Sequence, residues 1–86
     1  MMILAVFRSR AHSLDFAELL RQHGVEASTM PTPREANIGC GLCVRLDMRL
    51  LPRAQALLNA KRYSSFKGFY KMEFVEGRMS VSPYKK

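Results

Sequence analysis

Cys40 and Cys43 are the residues of this 86-residue chain best suited to covalent chemistry. Cysteine reacts as the thiolate, so a working thiol needs exposure and something that favours negative charge, such as an arginine or a helix N-terminus. Cys40 lies between Gly39 and Gly41, where no Cβ crowds an incoming group and the backbone is free to aim N–H groups at an anion. Arg34 and Arg45 are its nearest cations along the sequence. Cys43 has Cys-x-x-Cys spacing and is the candidate redox partner of Cys40. In thioredoxin-like proteins the first cysteine gains acidity from the helix that follows it, whereas here a strand pattern follows, which disfavours a thioredoxin-type oxidoreductase. The plain alternative for each cysteine is a small buried hydrophobe.

The approach to Cys40 reads Met30-Pro31-Thr32-Pro33-Arg34-Glu35. Two prolines fix φ and bias Met30 and Thr32 to extended conformations, so the loop is held. A purely structural use is equally natural, with the prolines ending an edge strand and Arg34-Glu35 a surface pair. Cysteines at this spacing supply half of a tetrahedral zinc set, but no second Cys-x-x-Cys exists, and His12 and His23 lie too far apart along one helix to join a single ion. No metal and no cofactor are expected. No Ser-His-Asp set, phosphate-binding glycine loop or paired catalytic carboxylates can be read, so a carrier or binding protein fits better than a self-sufficient enzyme.

The elements that must position this segment follow from periodicity. Met2 to Phe7 is a short apolar run that predicts a buried strand. From Ser9 to His23, Ser13, Phe16, Ala17 and Leu20 fall on one side of an amphipathic helix, and Gly24 ends it. Val25 to Met30 predicts a second strand stopped by Pro31. After Gly41, Leu42, Val44 and Leu46 alternate with Cys43, Arg45 and Asp47, which predicts a third strand. Leu50, Leu51, Ala54, Leu57 and Leu58 recur at helical spacing to about Arg62, with Pro52 in the first turn. The tail from Phe66 to Val81 predicts a fourth strand and a short fifth, turning at Glu76-Gly77. The order β-α-β-β-α-β folds through right-handed crossovers into an α+β, ferredoxin-like two-layer sandwich with a four-stranded antiparallel sheet and a short C-terminal β extension. An incompletely wound variant is the alternative. Residues 1 to 86 are expected to form a single domain, with 82 to 86 a disordered tail.

The composition is 48% hydrophobic and 24% charged, with a net charge of +7, a globular balance carrying a field that attracts nucleic acid, anionic lipid or acidic proteins alike. No apolar run reaches the roughly 18 residues of a membrane span, and Met1 to Phe7 has no cleavage signal after it. Together with cysteines too close in sequence to staple distant segments, this points to the cytoplasm and away from a membrane. The small size leaves room for a homodimer that covers further apolar area. Phe66, Phe69, Tyr70 and Phe74 interleave with Lys67 and Lys71 near the last strand, a pattern that can hold a nucleic-acid backbone. The expected central strands carry no stacking platform, however, so nucleic acid is the weaker expectation.

The short strand, the helix with small residues on its packing face and Gly24 at its end, Met30-Pro-Thr-Pro-Arg-Glu35, and Cys40-Gly-Leu with Arg45 together resemble the selenium/sulfur carrier protein-like family of small bacterial proteins. The resemblance covers roughly residues 2 to 61. It implies that Cys40 holds sulfur or selenium as a persulfide or perselenide, surrounded by Thr32, Pro33, Arg34, Glu35, Gly39, Gly41 and Arg45. The partners it implies are sulfur or selenium donor and acceptor proteins. Cys43 and the basic aromatic segment after Tyr63 lie outside the pattern. A basic module that binds nucleic acid or an acidic protein, with structural cysteines, is the competing reading.

Overall fold

A computed structural model describes residues 1–36 and 41–84. Strand β1 (Met2–Phe7) is the middle of a five-stranded sheet of order β2-β3-β1-β4-β5, in which every neighbouring pair is antiparallel. Its position explains its composition. Ile3, Ala5 and Phe7 point to one face and Leu4 and Val6 to the other, and all five are fully buried, so an unbroken apolar run replaces the usual alternation.

Helix α1 (Arg10–Gln22) starts at Ser9, whose hydroxyl accepts the His12 N–H at 3.2 Å, the usual service of an N-capping serine. It buries Ser13, Phe16, Ala17 and Leu20. Gly24 then takes φ of 75°, a conformation that costs a residue with a Cβ more than glycine. Strand β2 (Ala27–Pro31) begins two residues later than the sequence pattern suggested and runs through Pro31 instead of stopping before it. Pro31 is tolerated because β2 is an edge strand, paired only with β3 (Leu42–Asp47). Val25 still contributes to the core from the preceding turn.

Asp47 caps the 3-10 turn Met48–Leu50 by accepting the Arg49 N–H at 2.8 Å, and helix α2 (Leu51–Lys61) follows, with Pro52 in its first turn. Arg62 ends α2 in a left-handed conformation, its N–H donating to the Leu58 carbonyl at 2.9 Å. Both helices pack on the face of Ile3, Ala5 and Phe7, where Phe16, Leu20, Val44, Leu46, Leu51 and Leu58 complete the core. Each large side chain removed from water there contributes about 1.5–3 kcal/mol before entropy is counted.

Strands β4 (Phe66–Val75) and β5 (Arg78–Pro83) correct the expected four-stranded sheet with a short extension. β5 pairs with β4 along its whole length, from Tyr70 opposite Pro83 to Val75 opposite Arg78, and so is a full fifth strand. The cause is the turn: Glu76 and Gly77 have φ of 52° and 77°, the positive pair that matches the twist of a two-residue hairpin. β5 includes Ser82 and Pro83, and the Tyr84 N–H donates to the Phe69 carbonyl at 2.9 Å. Lys85 and Lys86, the end of the expected tail, lie outside the described residues. β4 also carries a bulge, because Gly68 stands opposite Val6 but Phe66 opposite Phe7. The extra residue turns Phe66 and Phe69 to the same face, their rings 5.1 Å apart.

The face opposite the helices is not bare. Leu4, Val6, Cys43 and Met72 form a second buried cluster with Ala36, from the 3-10 turn Arg34–Ala36. The chain leaving β2 therefore crosses over the sheet, and this turn reaches β5 on the far side. It makes a short third layer beside the two expected. Among the described residues no helix is long and apolar enough to cross a membrane.

Candidate functional site

The loop between β2 and β3 is closed at its neck. The Thr32 N–H donates to the Gly41 carbonyl at 3.0 Å, just beyond the last ladder pair, Pro31 with Leu42. Within the loop the Ala36 N–H donates to the Pro33 carbonyl at 3.0 Å, and Ala36 is buried on the sheet while Arg34 and Glu35 point to solvent. Gly41 has φ of 90°, with no atom of the described residues beyond its chain neighbours within 4 Å of where a Cβ would sit. Its requirement is conformational, not steric. The Thr32 hydroxyl oxygen is buried and has no hydrogen-bond partner among the described residues, a situation that costs about 1–3 kcal/mol relative to a paired group.

The start of β3 is tied to α1. The Ser13 hydroxyl, fully buried, is 2.9 Å from the Leu42 carbonyl and 3.4 Å from the Ser9 carbonyl. This places the residues just after the loop against the first turn of a 13-residue helix, whose N-terminus carries about half a positive charge. The same end of the sheet collects side-chain charge. The Arg8 N–H donates to the Ser65 carbonyl at 2.9 Å, the Ser9 N–H reaches the Ser65 hydroxyl at 3.2 Å, and His12 Nδ1 lies 2.6 Å from that hydroxyl. Arg8, Arg10, Arg62 and Lys67 all fall within three residues of this junction, and Arg34 lies on the adjoining loop. All five are exposed, and none forms an ion pair with a described carboxylate.

The opposite end is electrically quieter. Arg21 pairs with Glu18 at 3.0 Å and Arg49 with Asp47 at 3.1 Å, while Arg53 donates to the His23 carbonyl at 2.6 Å. Arg49's N–H and then its guanidinium hold the Asp47 carboxyl below its ordinary value. At the charged end, Tyr63 packs edge-on against Phe7 and Phe16 and donates to Asp15 Oδ2 at 2.6 Å. Its burial, and then the Asp15 carboxylate, push its phenol well above the usual range.

Thr32, Pro33, Arg34, Glu35 and Gly41 are brought together at the loop and its neck. Gly39 and Cys40 lie outside the described residues. Arg45 is not brought to this group: four residues along β3 set its Cα about 13 Å from that of Gly41, where it lines an open groove of about 420 Å³ with Met2, Glu26, Ser28 and Asp47. Cys43 is buried on the face opposite the helices, among Leu4, Val6, Ala36 and Met72. Phe66 and Phe69 belong to the core, and Phe74, 74% exposed, stands at the far hairpin. The aromatic residues and lysines of β4 therefore do not share one exposed surface.

Sequence reasoning missed Arg8, Arg10 and Arg62, and grouped Lys67 with Lys71 and the aromatic residues of β4 instead of with these arginines. The signal was present in the strand directions, since a middle strand ending at Phe7 finishes where β2 ends and where β3 and β4 begin.

A small α+β protein with a pinned loop at an electropositive sheet end is the class these features define. The chain belongs to the family described as putative Se/S carrier protein-like, whose model matches residues 2–71. That match spans β1 to the middle of β4 and leaves β5 outside it. Comparison with curated proteins and with solved structures finds no match.

Proposed function

We propose that this protein is a cytoplasmic thiol carrier that holds sulfur or selenium on Cys40 as a persulfide or perselenide. The observation that carries the reading is the hydrogen bond from Ser13 to the Leu42 carbonyl. Two residues beyond Cys40, the chain meets the N-terminal turn of α1 beside Arg8 and Arg10, an environment that favours a thiolate. The helix dipole offered at this end of the sheet is that of α1, to whose first turn Leu42 is tied. Family membership supports the same reading.

In the transfer, the Cys40 thiolate attacks the terminal sulfur of a donor persulfide. The sulfur–sulfur bond to the donor breaks, and the donor leaves as its thiolate, so no external oxidant is needed. Delivery to an acceptor is the reverse step. The unpartnered Thr32 hydroxyl at the loop neck is a donor suited to an anionic sulfur. Cys43 is a candidate redox partner only when the cover over its face is displaced, since it is buried. For the fold, we assign the order β2-β3-β1-β4 with both helices on one face to a ferredoxin-like arrangement, to which β5 adds an outer strand.

Non-reducing intact-mass analysis after exposure to a small-molecule persulfide donor tests the reading. The protein and its Cys43→Ser variant should gain one sulfur atom, and Cys40→Ser should gain none. Absence of sulfur from the unmodified protein, with Cys40 alkylating no faster than a free thiol, would overturn it.

A further inference from the structure

We propose that the exposed cations at the loop end of the sheet, Arg8, Arg10, Arg62 and Lys67, form a docking surface for a protein with an acidic face. This names the partner class of the carrier reading and rests on it, but the surface itself is argued from charge placement. All four lie within three residues of the hydrogen bond from the Arg8 N–H to the Ser65 carbonyl, and Arg34 extends the group onto the loop that leads to Cys40. None is paired with a described carboxylate, while Arg21 and Arg49 at the other end are matched internally. Arg45, Arg53 and Arg78 at the other end are likewise in no ion pair among the described residues, but exposed Glu26 and Glu76 lie with them, so the net charge of +7 leans to the loop end. A one-sided field orients a partner before contact and raises the rate of short encounters more than their lifetime, which suits repeated loading and unloading of one thiol.

A protein fits this surface better than a single-stranded nucleic acid. Single-stranded binders combine cations with exposed aromatic faces on which bases stack. Here the aromatic side chains at the charged end are used internally: Phe7 packs on Phe16, Tyr63 and Phe66 with ring centres 5.3–5.5 Å apart. Phe74 stands exposed, but at the opposite hairpin.

The test uses the Cys40→Ser protein, so that binding is read without sulfur loading and neither proposal can fail on behalf of the other. Fluorescence anisotropy is measured with a labelled Glu/Asp-rich helical peptide, and with single-stranded and duplex RNA oligonucleotides of equal charge, at physiological salt. The acidic peptide should bind more tightly than either RNA. Its affinity should fall about tenfold or more in Arg8→Glu/Lys67→Glu and stay unchanged in Arg78→Glu, which reverses a cation at the far end. Thermal melts confirm that the variants are folded. Tighter binding of RNA, or equal losses in Arg78→Glu and Arg8→Glu/Lys67→Glu, would overturn the proposal.

Discussion

The Ser13 hydroxyl donates to the Leu42 carbonyl at 2.9 Å, joining the first turn of α1 to the start of β3 across 29 positions of sequence. Ser13 is fully buried, and its loss removes this hydrogen bond between helix and strand. Ser13→Ala should destabilise the protein by about 1 kcal/mol, which lowers the melting temperature of a domain this size by about 4–8 °C. If the helix N-terminus favours the thiolate, the same variant should also shift the alkylation profile of Cys40 to higher pH. A melt that moves without the alkylation profile would leave Ser13 a purely structural role.

Gly41 should resist substitution for backbone reasons alone. At φ of 90° and with open space where a Cβ would sit, Gly41→Ala should cost about 1–2 kcal/mol. Gly41→Asn should cost less, because asparagine tolerates positive φ. Chemical denaturation of the two variants side by side measures the difference. Equal losses would point to a steric cause instead.

Ala36→Glu should detach the short third layer. A carboxylate cannot remain unpaired among Leu4, Val6 and Met72, so residues 34–36 should lift away, with a loss of about 2–3 kcal/mol. Faster proteolysis within residues 33–40 and increased binding of a hydrophobic dye are the expected readouts.

Alkaline pH should weaken the fold through Tyr63. Its folded pKa is raised above the ordinary value of 10.0 by burial and by Asp15. The stability contributed by the protonated phenol is therefore fully present below about pH 10 and is lost as pH rises toward the folded value. Tyr63→Phe should lose the hydrogen bond to Asp15 at neutral pH and show a flatter decline above pH 10. Urea melts at pH 7 and pH 10.5 give both quantities.

Asp47 acts in the opposite direction. Its carboxyl is held below 3.8 chiefly by the Arg49 N–H, so its contribution is present above about pH 4 and fades as pH falls through the folded value. Asp47→Asn keeps an acceptor for that N–H. Its neutral stability should stay close to that of the parent, with a shallower acid limb in melts between pH 2 and pH 7.

The legible parts of the fold were those written in local chemistry. Ser9 and Gly24 bracket α1, Pro52 enters the first turn of α2, and Glu76-Gly77 turns the last hairpin. What escaped was written in none of these. The bulge beside Gly68 brings Phe66 and Phe69 to one face against simple alternation. Ala36 covers the far face of the sheet by a chain crossing that has no period. Arg45, close to Cys40 in sequence, is carried down β3, whereas Arg8 and Lys67, remote in sequence, sit at the loop end. Along an extended strand each residue adds about 3.3 Å, so proximity in sequence misleads within a few positions.

The short cover made by Arg34–Ala36 also limits how far the chain leaving β2 can lift from the sheet. Ala36 is anchored over Leu4, Val6 and Met72 and Thr32 is tied to Gly41, so the stretch from Thr32 to Ala36 is fixed to the sheet at two points. Any excursion that lengthens it uncovers apolar surface and is opposed in proportion to the area exposed. On the proposed carrier reading, a donor or acceptor brings its own reactive group to the end of the sheet. The complementary protrusion belongs to the partner, and a partner with a recessed, rigid active site would be excluded by shape before chemistry is tried.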